Sequence, residues 1–161
     1  MKRLIFTLTA IFVLLAASSL SAKQTKPLTY SDLKGIVTST SSPLVIVNIF
    51  SMYCPACRQL MPMLNDLKKT YTPDQLSIIG IALNDPDKTA ELDAYLEKSR
   101  TTYQVYLGDE NLATVLKIRY IPRTLLYTSD NGELLDDWTG MPEMKDIVNS
   151  ITAHSPNINK F

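Results

Sequence analysis

Residues 44–71 decide the fold, and they read LVIVNIFSMYCPACRQLMPMLNDLKKTY. The first seven residues form a continuous apolar run that is typical of a strand buried on both faces in the middle of a sheet. Pro55 suits the first turn of a helix, where its missing N–H would be unpaired in any case. Residues 58–71 continue as a helix with an apolar inner side, and Pro62 inside it is expected to produce a kink. The stretch therefore predicts a central strand that leads directly into a helix, with Cys54 and Cys57 at the junction.

The rest of the chain continues this alternation of helices and strands. Apolar periodicity predicts further helices over residues 28–38, 87–99, 111–118 and 142–151, and further strands over 76–83, 105–107, 124–128 and 133–138. Asp130-Asn131-Gly132 is typical of a hairpin turn, so the last two strands should be antiparallel. The earlier strands are separated by helices and should be parallel. The predicted architecture is an α/β domain with a mixed central β-sheet flanked by helices on both faces.

Length and charge indicate a single domain that has no nucleic-acid partner. The chain has 161 residues, of which 45% are hydrophobic, with 16 Lys and Arg against 16 Asp and Glu. Because these charges balance, the sequence lacks the basic excess expected of a nucleic-acid-binding protein. We expect the domain to span residues 28–152, preceded by a short tether at residues 23–27. A flexible C-terminal tail is expected at residues 153–161.

The first 22 residues have the three-part pattern of a secretory signal peptide. Met1-Lys2-Arg3 is a positive start, residues 4–17 are apolar except for two threonines, and residues 18–22 are mostly small. The apolar run is shorter than the ~20 residues of a membrane span, so we expect cleavage after Ala22. An uncleaved membrane anchor is the alternative, and it would be the only contact with the membrane. The sequence therefore predicts a periplasmic or other extracytoplasmic location.

The two cysteines of the chain are three positions apart, at Cys54 and Cys57. A bridge between them closes too small a loop to stabilise the fold much, whereas a C-x-x-C pair beside a βαβ pattern is a redox motif. At a helix N-terminus the helix dipole favours the Cys54 thiolate, which is the species that attacks a disulfide. Cys57, one turn further on, can then release the partner. Because a structural zinc site needs four ligands and a haem site needs His where Arg58 stands, we expect no metal and no cofactor.

Several stretches of the sequence carry a family resemblance. Residues 48–62, NIFSMYCPACRQLMP, resemble the active-site stretch of thioredoxin-like proteins, and residues 120–124, YIPRT, resemble their cis-proline loop. With DLKG at residues 32–35 and the order of elements, residues 29–151 are similar to the exported TlpA/ResA branch. This resemblance implies the thioredoxin fold and a thiol-disulfide oxidoreductase. It implies reduction of disulfides in envelope proteins, with apocytochrome c, in cytochrome c maturation, among the candidate substrates.

Three features depart from the pattern of that branch. Tyr53 stands before the first cysteine, where the family usually has Trp, and Arg123 follows the proline, where a small residue is usual. Too few residues precede Leu28 for the usual N-terminal β-hairpin. These departures bear on the subfamily and the substrate more than on the fold.

The resemblance also implies roles for the residues around the cysteines. It implies a cis Ile121–Pro122 peptide bond that faces the cysteine pair. The surface on which a partner docks would be formed by Tyr53, Pro55, Ala56, Ile121 and Pro122, and Met52 would line the same approach.

Other polar residues receive weaker assignments. Asp87 falls near a carboxylate of ResA-like proteins and is a candidate acid, with Asp85 as an alternative in the same loop, although helix capping also explains such an Asp. Asn48 occupies the position of a buried Asp in cytosolic thioredoxins, and we expect it to be buried with its hydrogen bonds satisfied. Arg123 is expected to be a solvated surface residue, although it could meet an acidic partner.

The direction of electron flow has two possible answers, and two other functions are open. Pro55 and Ala56 place no charge and no side-chain donor beside Cys54, which favours a reductant supplied by a membrane electron donor. A disulfide-forming oxidase is the alternative. A Sco-like copper chaperone would have to use His154, the single histidine of the chain. A peroxiredoxin-like peroxidase would need a Thr-x-x-Cys motif, and Ser51 stands at the position of that Thr.

Overall fold

The structure is a computed structural model that describes residues 25–84 and 86–155. The predicted signal peptide, Asp85 and the end of the predicted tail lie outside the described residues. The strands are β1 (Lys26–Leu28), β2 (Leu44–Phe50), β3 (Leu76–Leu83), β4 (Gln104–Gly108), β5 (Arg123–Thr128) and β6 (Leu134–Thr139). The α-helices are α1 (Tyr30–Ser39), α2 (Pro55–Thr70), α3 (Thr89–Lys98), α4 (Glu110–Val115) and α5 (Met144–His154).

The strands form one mixed sheet in the order β1-β4-β3-β2-β5-β6. Strand β2 lies between β3, with which it pairs in parallel, and β5, with which it pairs antiparallel. All seven residues of β2 are buried, as expected for a strand covered on both faces. The predicted mixed α/β sheet is confirmed, and the cysteine motif directly follows β2, an inner strand of the sheet.

Two apolar clusters cover the two faces of the sheet. One cluster includes Leu60 and Leu64 of α2, Leu92 of α3 and Ile147 of α5. The other cluster includes residues of α1 and α4, on the opposite side. Helices therefore flank the sheet on both faces, as the sequence predicts.

The beginning of the domain differs from the sequence-based expectation. The tether predicted for residues 23–27 is wrong from Thr25 onward, because residues 26–28 form β1 and pair in parallel with β4. Thr25 is buried and its N–H donates to the Asp93 carboxylate at 3.0 Å. Helix α1 begins at Tyr30 rather than at Leu28, since Thr29 forms a capping box with Asp32.

Further helix boundaries also differ from the prediction, and α4 ends at Val115 rather than at residue 118. The predicted helix at 87–99 begins instead as a short 3₁₀ turn, Pro86–Lys88, which precedes α3. Helix α5 extends to His154, three residues beyond the predicted end, so the first residues of the expected tail are ordered in a helix. Within residues 25–84 and 86–155, no helix is long and apolar enough to cross a membrane.

Candidate active site

Cys54 and Cys57 lie where β2 gives way to α2. The chain turns after Phe50, with the N–H of Cys54 donating to the Ser51 carbonyl at 3.1 Å, and Pro55 opens the helix. Cys54 is the N-cap residue of α2, and its Sγ accepts a hydrogen bond from the Cys57 N–H at 3.2 Å. The two sulfurs form a disulfide across Cα atoms 5.2 Å apart. The structure thus brings both predicted redox residues together at a helix N-terminus.

Burial distinguishes the two sulfur-bearing residues. Cys57 is 1% exposed and belongs to the apolar cluster that α2, α3 and α5 form on one face of the sheet. Cys54 is only partly buried. A reagent or partner that approaches from solvent therefore meets Cys54 first. Cys57 is thus buried and Cys54 accessible, as the sequence predicts, whereas their roles as resolving and attacking residues stay a prediction.

The local electrostatics favour a negative charge on Cys54. Helix α2 is 16 residues long and has no acidic residue in its first turn, so nothing in that turn opposes the positive end of its dipole. The Cys57 N–H that reaches Cys54 Sγ is a donor that would also stabilise a thiolate there. Arg58, an exposed residue of the same turn, adds a positive charge.

The loop at residues 119–122 faces the cysteine pair. The Ile121–Pro122 peptide bond is cis, which confirms the expectation from the family resemblance. The Ile121 carbonyl oxygen lies 3.9 Å from Cys54 Sγ, and the Pro122 carbonyl accepts a hydrogen bond from the Gly140 N–H at 2.8 Å. Ile121 therefore contacts Cys54 directly, while Pro122 is buried behind it.

Large apolar side chains are exposed on both sides of Cys54. Tyr53 is 53% exposed and Tyr120, next to Ile121, is 72% exposed. Met52, expected to line the approach, is instead 5% exposed and packed in the core. Sequence reasoning did not assign a role to Tyr120, although an aromatic residue directly before the Ile-Pro pair was a usable signal.

Tyr53 also forms one wall of a groove of about 920 Å³ at the carboxyl ends of β3 and β4. Its hydroxyl donates to Glu91 at 3.3 Å, and the Lys88 ammonium lies 5.5 Å from the centre of its ring. Asn84, which also lines this groove, accepts a hydrogen bond from the Met52 N–H at 3.3 Å. These contacts orient Tyr53 beside Cys54, and they join residues too far apart in sequence for a local pattern to predict.

Arg123 is not the solvated surface residue that the sequence analysis expects. Its side chain is 18% exposed and forms a bidentate ion pair with Asp137 on β6. A third nitrogen, Nη1, donates to the Lys117 carbonyl at 2.8 Å. The hydrogen bond that Arg123 donates to the Asp137 carboxylate raises the pKa of the Arg123 guanidinium above its ordinary value. The expectation failed because the acidic partner lies on the neighbouring strand of the same chain.

Asn48 is buried, as expected, but its hydrogen bonds are only partly satisfied. It is 1% exposed in the centre of β2, and its Nδ2 donates to Thr124 Oγ1 at 3.5 Å. Its Oδ1 has no partner among the described residues. The expectation of a fully satisfied amide is therefore wrong, and the orphaned acceptor lies in the strand that carries the cysteine motif.

The remaining candidates fall outside the cysteine site or outside the described residues. Asp87 is exposed on the 3₁₀ turn before α3, whose N-cap residue is Lys88. It therefore does not occupy the N-cap position of that helix, and its role as an acid stays a prediction. Asp85 is not among the described residues. His154 ends α5, where its Nε2 lies 3.6 Å from the Asp136 carboxylate; within the described chain no group of three or more metal-ligating side chains is found.

Comparisons with known proteins show which proteins this chain is similar to. A family model described as thioredoxin-like matches residues 43–134. The thiol-disulfide oxidoreductase ResA of Halalkalibacterium halodurans is 26% identical over 97 residues, which are 60% of this chain. The match spans about half (53%) of the length of that relative.

Solved structures are similar in fold at low sequence identity. A thioredoxin-related protein from Neisseria meningitidis superposes with a TM-score of 0.65 at 19% identity, covering 84% of this chain and 97% of that one. A putative thiol:disulfide interchange protein DsbE from Chlorobium tepidum gives 0.63 at 18% identity, covering 74% and 83% of the two chains. StoA from Bacillus subtilis gives 0.58 at 14% identity, covering 71% and 85%. At these identities the likeness establishes the shared fold.

Proposed function

The chain belongs to the thioredoxin-like family, and from this we propose that it is a thiol-disulfide oxidoreductase with Cys54 as nucleophile and Cys57 as resolving thiol. The observation that carries the proposal is the Cys54–Cys57 disulfide at the N-terminus of α2, with one residue accessible and the other buried. The partial match to ResA supports the same chemistry.

The reduced protein would act in two exchange steps. The Cys54 thiolate attacks one sulfur of a partner disulfide, so that a mixed disulfide forms and the other partner sulfur leaves as a thiolate. The Cys57 thiolate then attacks Cys54 Sγ, which restores the Cys54–Cys57 disulfide and releases the second partner thiol. Two electrons pass to the partner, and a dithiol donor must reduce the protein before the next cycle.

The contacts of the site suit each of these steps. The Cys57 N–H, 3.2 Å from Cys54 Sγ, and the helix dipole stabilise the attacking thiolate. The first turn of α2 keeps Cys57 one turn away on the buried side, so it competes little with Cys54 for the partner but reaches the mixed disulfide once it forms. The proposed docking surface around Cys54 is formed by Tyr53, Pro55, Ala56 and Ile121, with the buried Pro122 supporting it from below Ile121.

A trapping experiment tests this assignment. The Cys57→Ser variant should accumulate a mixed disulfide on Cys54 that mass spectrometry can identify, because the second exchange step is blocked. The matched Cys54→Ser variant should trap little, since Cys57 is almost completely buried. Trapping through Cys57 in preference to Cys54 would reverse the two roles and refute the argument from burial.

We further propose that the protein acts as a reductant. Pro55 and Ala56 add no charged or hydrogen-bonding side chain beside Cys54, so among the described residues its thiolate is stabilised by the helix terminus, the Cys57 N–H and the exposed Arg58. A less stabilised thiolate gives a more reducing couple. Equilibration with glutathione would measure the potential; a value near the ~−120 mV of a strong oxidant would make the protein a disulfide-forming oxidase.

The proposed setting is the cell envelope, with a membrane electron donor and disulfide-containing or dithiol envelope proteins as partners. Apocytochrome c is a candidate among these partners. The signal-like pattern of residues 1–22 supports export. Intact mass of the protein recovered from its native envelope tests the cleavage: the mature chain should begin at or near Lys23, whereas a full-length, membrane-retained chain would indicate an anchor.

A further inference from the structure

The segment that faces Cys54 is held at its base by one side chain, Arg123. This residue follows Pro122 directly, and its guanidinium makes three separate contacts. Nε donates to Asp137 Oδ1 at 2.7 Å, Nη2 pairs with the other Asp137 oxygen, and Nη1 donates to the Lys117 carbonyl at 2.8 Å. The three contacts join the entry of the loop, its exit and the neighbouring strand β6.

The Lys117 carbonyl is available because of the way α4 ends. Lys117 adopts a left-handed conformation with φ of 53°. Its N–H donates to Thr114 and the next N–H, of Ile118, donates to Ala113, the two hydrogen bonds of a Schellman helix end. This turn directs the chain toward Cys54. Arg123 donates a hydrogen bond to the Lys117 carbonyl, at the residue where the chain changes direction. Residues 117 and 123 are thus tied together at the base of the loop.

The loop between these two residues carries the groups that a partner meets. The Ile121 carbonyl lies 3.9 Å from Cys54 Sγ, and Tyr120 is 72% exposed beside it. A polypeptide that docks here must align its disulfide with Cys54 against this loop, and a loop that is already ordered lowers the cost of that alignment. A small disulfide that reaches Cys54 from solvent does not need the loop to the same extent.

The contacts of Arg123 with Asp137 and with the Lys117 carbonyl form a clamp at the base of the loop. The Arg123–Asp137 part of this clamp has the features of a strong ion pair. Only 18% of the Arg123 side chain and 29% of the Asp137 side chain are exposed, so solvent and salt screen the pair less than an ordinary surface pair. The planar guanidinium binds the carboxylate through two parallel hydrogen bonds and still has a donor for Lys117, a combination that the point charge of Lys cannot reproduce.

We propose that Arg123, through Asp137 and the Lys117 carbonyl, is a positioning residue that fixes the 117–123 loop for exchange with polypeptide disulfides. This proposal deepens the proposed function and rests on it. Its consequence is selectivity, because loss of the clamp slows reaction with a protein disulfide much more than reaction with a small one.

The experiment compares two disulfides with the same set of reduced proteins. Insulin serves as the polypeptide disulfide and oxidised glutathione as the small one. In Arg123→Gln, which loses all three contacts, the rate with insulin should fall roughly tenfold or more, and the rate with glutathione disulfide should fall much less. Asp137→Asn, which keeps the Lys117 contact, should have a smaller effect, and Arg123→Lys should fail to restore the wild-type rate.

A matched control and a second measurement separate positioning from general loss of stability. Lys69 and Asp66 form an exposed ion pair at 2.7 Å on α2, and Lys69→Gln should leave both rates unchanged. Backbone hydrogen exchange of the Ile118 and Gly140 N–H groups, which donate to the Ala113 and Pro122 carbonyls at the two ends of the loop, should be faster in Arg123→Gln and Arg123→Lys than in the wild type. Equal slowing with both disulfides, no slowing with insulin, or unchanged loop exchange would each overturn the proposal.

Failure of the proposed function has a different signature. A wild-type protein that reacts with neither disulfide would refute the oxidoreductase itself. Hydrogen exchange at Ile118 and Gly140 would still report whether Arg123 holds the two ends of the loop, so the two ideas fail separately.

Discussion

A charge placed at Ala56 should change the reactivity of Cys54 in a direction set by its sign. Ala56 lies in the first turn of α2, is partly exposed and has no acidic neighbour in that turn. Ala56→Glu should destabilise the Cys54 thiolate by repulsion, and Ala56→Lys should stabilise it by attraction. Ala56→Gln has the shape of the Glu variant without its charge and is therefore the reference.

The size of this effect follows from Coulomb's law. Charges on residues 54 and 56 would be about 7 Å apart, and in a nearly aqueous dielectric of about 70 they interact by about 0.7 kcal/mol. This energy corresponds to about half a pKa unit for the Cys54 thiol. The Glu and Lys variants should therefore differ by about one unit, and the difference should shrink at high ionic strength.

The assay is the rate of alkylation against pH in a Cys57→Ser background, where Cys54 is the one remaining thiol. In the Gln reference the thiol should titrate below the ~8.5 of a free cysteine, because the helix N-terminus stabilises the thiolate. A reference pKa at or above that value would refute the argument from the helix dipole. Shifts of the same sign in the Glu and Lys variants would show that Cys54 does not ionise beside the first turn of α2.

Further predictions concern the scaffold of the site. Gly108→Ala should lower the free energy of unfolding in urea by about 1–3 kcal/mol, since a Cβ there would lie 2.6 Å from Ile81, whereas Gly35→Ala in α1 meets nothing within 4 Å and should raise it by up to about 1 kcal/mol; equal effects would contradict the packing argument. Hydrogen bonds from Thr29 lower the pKa of Asp32, so its contribution to stability is present above the unfolded-state pKa and is lost as pH falls. Denaturation of Asp32→Asn at several pH values should show a deficit at neutral pH that disappears in acid, and a deficit independent of pH would argue against this linkage. Burial raises the pKa of Tyr103, whose hydroxyl has no partner among the described residues, so its contribution is present below the ordinary pKa of ~10 and is lost as pH rises. Tyr103→Phe should retain stability at neutral pH and unfold at a higher alkaline pH than the wild type; earlier alkaline unfolding would contradict the assignment.

Local sequence determined the centre of the molecule. The strand Leu44–Phe50 and the helix that follows were correctly predicted. A continuous apolar run indicates a strand buried on both faces, and helical periodicity indicates a helix, and both signals lie within consecutive residues. The position of Cys54 and Cys57 follows from the same stretch, since the residue at which a strand ends and a helix begins is a local property. The cis Ile121–Pro122 bond is confirmed in the structure, but it was predicted from the family resemblance, since spacing and composition do not specify it.

Contacts between distant residues were decided only by the tertiary structure. Strand β1 is three residues long, too short to show a period, and it exists because Lys26–Leu28 pairs with β4, about 80 residues away. Arg123 looked like a surface residue because its partner Asp137 is 14 positions away and becomes a neighbour only when β5 and β6 pair. A pattern of neighbouring residues encodes which face of an element is apolar, whereas strand register and side-chain pairing depend on how the elements pack. This packing brings Arg123, Asp137 and Lys117 together at the base of the loop that faces Cys54.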